Sequence, residues 1–88
     1  MKNKTYFVYI VSCSDNTYYI GKTVDIDKRI RAHNGKISGG AKYTSGRRPV
    51  KLVYFEKLET VTEALKREYA LKQLTRKEKE NLICSFSS

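Results

Sequence analysis

Two runs of β-branched and aromatic residues, Thr5 to Cys13 and Thr17 to Ile20, flank the tripeptide Ser14-Asp15-Asn16, and this arrangement constrains the chain more than any other feature. Such residues suit a pleated, half-buried surface, whereas short polar side chains bond to their own backbone and favour a turn. Residues 5–21 therefore read as a β-hairpin that Gly21 ends. Phe7, Tyr9 and Val11 fall on one face of the first strand, and Val8 and Ile10 on the other. A strand that is apolar on both faces needs cover on both, so it belongs at the centre of a sheet with helices packed against it.

The remaining segments supply that cover. Thr23 to Asn34 reads as a helix, capped by Thr23 or Asp25 and stopped by Asn34-Gly35. Ile26 and Ile30 mark its buried stripe, with Arg29 and His33 beside it. Residues 35–48 hold four of the five glycines together with Lys36, Lys42, Arg47 and Arg48, which predicts a basic loop with a helical turn near Ala41-Lys42-Tyr43. A third strand follows over about 50–56. Thr60-x-x-Glu63 and Thr75-x-x-Glu78 each match a capping box and open helices over about 61–73 and 76–84. In the first of these, Val61, Ala64, Leu65 and Tyr69 are expected to face inward, with Glu68 in the same stripe. The order β-β-α-β-α-α describes one α+β domain over residues 1–88: a small three-stranded antiparallel sheet flanked by helices.

Eighteen Lys and Arg against nine Asp and Glu give a net charge of +9. That excess favours a polyanionic partner, because each phosphate neutralised releases condensed counterions. No apolar run nears the roughly 20 residues that span a bilayer. The basic start, Met1-Lys2-Asn3-Lys4, leads into an alternating strand pattern rather than a signal peptide, so a cytoplasmic location is expected. Cys13 and Cys84 lack metal-ligand spacing and are expected to be free thiols.

Candidate chemistry centres on five side chains. With a three-residue loop, Cys13 pairs with Thr17 and Val11 with Tyr19, which places Tyr9 diagonal to Tyr19 on one face. A two-residue loop would send the two rings to opposite faces. Arg29 offers a rigid fork suited to a phosphate oxygen, and His33, one turn on, can bind phosphate or relay a proton. Glu68 is a carboxylate on an apolar helix face. It is compensated there either by an i,i+4 pair with Lys72 or by a divalent cation. One such acid does not support a two-metal site.

In order along the chain, Val8-Tyr9-Ile10, Tyr19-Ile20-Gly21-Lys22-Thr23 and Asp25-x-x-x-Arg29-x-x-x-His33-Asn34 resemble the GIY-YIG superfamily of nucleases. The likeness continues through Gly40-Ala41-Lys42-Tyr43-Thr44, Arg47-Arg48-Pro49-Val50 and Glu63-Ala64-x-x-x-Glu68. It is nearest to the short stand-alone GIY-YIG proteins of bacteria. Phe7 replaces the first glycine of the signature, and Asn81 stays outside the site set. The resemblance implies a metal-dependent DNA endonuclease, with a place in DNA repair or recombination. Tyr9 or Tyr19, with Tyr9 preferred, deprotonates the attacking water. Arg29 stabilises the pentacovalent phosphate, and Glu68 holds a single Mg²⁺ or Mn²⁺. Lys22 lowers the pKa of a neighbouring phenol, while His33 and Tyr43 contact phosphate or relay protons. Lys42, Tyr43, Arg47 and Arg48 would grip the DNA backbone without reading sequence, and a protein partner could supply specificity. The competing reading is a nucleic-acid-binding module that keeps the fold and cleaves little.

Overall fold

The structure is a computed structural model that describes residues 5–87. Its elements are β1 (Tyr6–Ser12), β2 (Tyr18–Thr23), α1 (Ile26–His33), a one-turn α2 (Lys42–Ser45), β3 (Lys51–Leu58), α3 (Val61–Lys72) and α4 (Arg76–Ser87). The sheet is antiparallel in the order β2-β1-β3, so the strand with two apolar faces is central. Val11 pairs with Tyr19, and the Cys13 amide bonds the Thr17 carbonyl at 2.8 Å, the register of the three-residue loop. Asn16 takes the left-handed conformation that closes it, at φ 68°. The β1–β3 register shifts between Ile10 and Val11, which leaves Val53 as an extra residue on β3.

Val8, Ile10, Ile20 and Tyr54 form one buried layer with Ala64 and Leu71 of α3, and Leu74, Leu82 and Ile83 pack against it. Tyr9, Val11, Cys13 and Val50 form the layer on the other face, joined by Ile30 of α1. Phe86 of α4 meets Tyr54 and Phe55 edge-on, which closes the β3 side.

Four expectations need correction. Gly21 does not end the hairpin, since β2 runs to Thr23 with Lys22 opposite Val8 and Thr23 opposite Phe7. Helix α1 starts at Ile26, because the Asp25 carboxylate takes the Lys28 amide as the N-cap. Its fully buried residues are Ala32 and His33, whereas Ile26 and Ile30 are half-buried. On α3, Val61, Leu65 and Tyr69 are exposed, and Ala64 and Leu71 are buried. Positions 64 and 71 are seven residues apart and so nearly in phase at about 100° per residue. The small Ala64 lets the helix backbone approach the sheet, which turns the larger side chains outward. Neither Cys13 nor Cys84 is in a disulfide among the described residues; Cys13 is buried and Cys84 lies at the surface.

Candidate active site

Strand alternation aims Tyr9 and Tyr19 to the α1 side of the sheet, and the helical spacing of Arg29 and His33 brings both toward them. Tyr9 and His33 are almost completely buried. The Tyr9 hydroxyl lies 2.7 Å from His33 Nε2, and Arg29 Nε donates to the same oxygen at 3.3 Å. His33 Nδ1 lies 2.8 Å from the Thr44 hydroxyl, which itself donates to the Ala41 carbonyl at 3.0 Å. Having given its proton to Ala41, Thr44 accepts from His33, so the imidazole proton is on Nδ1. The bare Nε2 then accepts from Tyr9. A hydrogen-bonded chain thus runs Tyr9–His33–Thr44–Ala41 through the interior.

Gly21 makes room for this chain. It faces Tyr9 across the β1–β2 ladder, and a Cβ added there would come within 2.5 Å of the phenol oxygen. Burial raises the Tyr9 pKa above its ordinary 10, with Arg29 pulling against it. His33 is pushed down to about 4 by burial and then by the Arg29 and Arg48 charges, so the ring is neutral at physiological pH.

Arg29 is held from two sides, by Tyr9 through Nε and by the Gly39 carbonyl through Nη1. Tyr19 bears on the same guanidinium, so both signature tyrosines converge on Arg29. Tyr19 packs edge-on against the His33 ring at 5.2 Å and stacks on Tyr43 at 5.6 Å. Arg47 covers Tyr43 at 4.0 Å from the ring centroid.

Glu68 lies about 40° around the helix from Ala64, at the margin of the buried face of α3. Its side chain is 17% exposed and pairs with Lys72 at 3.2 Å. Its charge is the smallest of the contributions that raise the Tyr9 pKa, after burial and Tyr19. Glu68 borders a cavity of about 230 Å³ lined by Leu65, Tyr69 and Lys72. Among the described residues no group of three or more His, Cys, Asp or Glu converges. A lone carboxylate with open space beside it fits a cation that keeps several waters and takes substrate phosphate as a further ligand.

Lys22 is not where the sequence placed it. It shares the opposite sheet face with Ile20 and Val8, and the cation acting on Tyr9 is Arg29; the phenol pKa rises rather than falls. Arg48 donates to the His33 carbonyl at 2.7 Å, and Arg47 pairs with Asp15 at 3.0 Å and bonds the Tyr43 carbonyl. Lys42 is exposed and outside any ion pair among the described residues. Sequence reasoning gave Thr44 and Asn34 no part in the site. Asn34 clasps Val50 through both backbone groups and so ties the end of α1 to the start of β3. A threonine in a glycine-rich loop reads as solvent-facing, and only the fold brings it onto His33.

The GIY-YIG catalytic domain family matches residues 5–81. The chain belongs to the GIY-YIG family. A UPF0213 protein of Clostridium perfringens is 54% identical over 81 residues, spanning 92% of this chain and 85% of its own. One from Bacillus velezensis is 50% identical over 84 residues, spanning 94% and 82%. The solution NMR structure of a UPF0213 protein from Bacillus halodurans is 43% identical with a TM-score of 0.58, covering 91% of this chain and 83% of that one. An E. faecalis protein solved by NMR is 38% identical with a TM-score of 0.63, covering 99% and 92%. The GIY-YIG domain defines a nuclease superfamily whose members generally use a divalent metal and bind nucleic acid. In this GIY-YIG chain, Phe7 stands at the first glycine of the signature and packs edge-on against Phe55 at 5.9 Å. No helix among the described residues is long and apolar enough to cross a membrane.

Proposed function

We propose that this GIY-YIG protein is a metal-dependent DNA endonuclease that hydrolyses phosphodiester bonds with a single Mg²⁺ or Mn²⁺ held by Glu68. The observation that carries this reading is the Tyr9 hydroxyl, which donates to His33 Nε2 while accepting from Arg29. A binding module has no need of a phenol aimed at a neutral, buried imidazole.

A phenol with a raised pKa is a poor base by itself, so Tyr9 acts by exchange. Water attacks phosphorus and its proton goes onto the Tyr9 oxygen as the Tyr9 proton shifts transiently along the 2.7 Å bond to His33 Nε2. The imidazole, neutral at rest, then returns that proton, and the excess proton leaves Tyr9 to solvent. The new P–O bond forms as the bond to the leaving oxygen breaks, and the leaving oxygen takes a proton from solvent. Thr44 fixes the imidazole tautomer that makes the transfer possible. Arg29, already tethered to Tyr9 and Gly39, presents its outer hydrogens to the phosphate as charge builds up. A divalent cation at Glu68, displacing Lys72, would polarise the phosphate and neutralise the developing charge. Lys42, with Arg47 and Tyr43 beside it, grips the neighbouring backbone without reading bases.

The test compares wild type with Glu68→Ala, purified identically, on supercoiled plasmid and on a branched DNA with Mg²⁺ or Mn²⁺. Metal-dependent cutting that the substitution removes is expected. Cutting that survives it rejects Glu68 as the ligand, and retained DNA binding without cutting by either protein favours the binding-module reading.

A further inference from the structure

A cavity of about 320 Å³ opens beside Arg29, between the start of α1 and residues 37–39, and the hydrolytic chemistry does not account for it. Its walls are apolar at Val24, Ala32 and Ile37 and cationic at Lys28 and Arg29. Val24 and Ile37 are exposed, at 55% and 36%, so two large apolar side chains face solvent across one small space. Lys28 forms no ion pair among the described residues. The acid on the rim is Asp25, the cap of α1, so Lys28 and Arg29 leave a balance of one positive charge around the cavity.

We propose that this cavity is a subsite for one deoxynucleotide unit of the substrate. Sugar and base lie against Val24, Ala32 and Ile37, and phosphate lies at Lys28 and Arg29. Only the further statement that this unit flanks the cut phosphate rests on the nuclease reading above. A nucleotide combines an anion with an apolar-faced ring, and this cavity pairs two cations with an apolar wall. Its volume is at the lower end for small-molecule sites and suits one unit rather than two. Arg29 belongs both to the cavity and to the Tyr9 hydrogen bond, so a phosphate that it holds has its attached sugar at the cavity mouth. The neighbouring cavity of about 380 Å³, lined by Phe7, Leu52 and Phe55, offers no such match. There Asp25 and Asp27 face the single Lys57, a balance that repels phosphate.

The experiment is an amide-resolved NMR titration of the full chain with thymidine 5′-monophosphate and, separately, with inorganic phosphate at matched ionic strength. The nucleotide is expected to shift the Val24, Ala32, Ile37 and Gly39 amides saturably, and phosphate to leave Val24 and Ile37 in place. A carboxylate set into the apolar wall by Ile37→Asp or Val24→Asp should weaken nucleotide binding at least about tenfold while preserving the rest of the spectrum. Both positions are exposed, so folding should survive. Phosphate reproducing the nucleotide pattern, shifts confined to other surfaces, or both variants binding as wild type does would overturn the subsite. Nucleotide shifts in a protein that cuts no DNA would sink the nuclease reading and leave the subsite standing. Metal-dependent cutting with these amides unmoved would do the reverse.

Discussion

Because Gly21 carries no side chain, the Tyr9 phenol can lie against it and reach both His33 and Arg29. Gly21→Ala brings a methyl within 2.5 Å of the hydroxyl, so the ring must move or the strands must part. Overpacking of this kind costs about 1–3 kcal/mol, and the variant should both melt earlier and lose DNA cleavage. Tyr9→Phe keeps the ring but leaves His33 Nε2 buried without a partner, at a cost of about 1–3 kcal/mol in chemical denaturation. If Tyr9 passes the water proton inward, the same change lowers kcat at least about 100-fold. His33 gives a pH signature of its own. Unfolding returns its pKa from about 4 to 6.5, so below pH 6.5 the unfolded chain takes up a proton that the folded protein refuses. This contribution is complete above pH 6.5 and is lost toward pH 4, by up to about 3 kcal/mol. Urea unfolding at pH 7, 5 and 4 should show that slope, and His33→Gln should flatten it. An unchanged slope in the variant would mean that other groups drive the acid sensitivity.

Helix α1 is only eight residues long yet carries Arg29 and His33, so its start matters more than its length. Asp25→Ala removes the carboxylate that takes the Lys28 amide, with a loss of about 1 kcal/mol. Fraying there should loosen Arg29 and lower kcat; a stability loss with kcat unchanged would show that Tyr9 and Gly39 hold Arg29 without help from the cap. At this scale the hairpin was legible in its pairing but not in its end: a three-residue turn and the period of two bring Tyr9 and Tyr19 to one face, whereas β2 runs past Gly21 to Thr23. The capping boxes likewise placed α3 and α4, and Thr60 caps α3 through the Glu63 amide as its pattern foretold. The rotation of α3 was not legible. Ala64 packs inward as expected, but Leu71 joins it in place of Val61, Leu65 and Tyr69, because the small Ala64 permits close approach and Arg67 reaches Glu56. That fork, at 2.7 and 2.8 Å, pins α3 to β3 beside Glu68. Lys22 was misplaced for the opposite reason: proximity in sequence to the second tyrosine motif hid the fact that alternation sends it to the other sheet face. Thr44 was invisible because its partner is eleven residues away across a loop.

Across the whole molecule, a charge of +9 sets how DNA affinity responds to salt, but its distribution decides which cations contribute. Arg47 is paired with Asp15 and packed on Tyr43, and Arg48 is tied to the His33 carbonyl, so both hold the loop in place as well as presenting charge. Lys42 forms no ion pair among the described residues. On duplex DNA each neutralised phosphate contributes about 0.9 to the slope of log affinity against log salt. Lys42→Ala should therefore reduce the slope magnitude by about 0.9 and weaken binding equally on unrelated sequences, without changing stability. Arg48→Ala should instead lower the melting temperature, because the His33 carbonyl loses its donor at the site where the buried relay passes. Fluorescence anisotropy from 50 to 300 mM salt on two unrelated duplexes, read beside thermal melts, separates the two. A Lys42→Ala slope equal to wild type would place the DNA on another face, and the basic loop would then be a structural brace around His33 rather than a grip on the backbone.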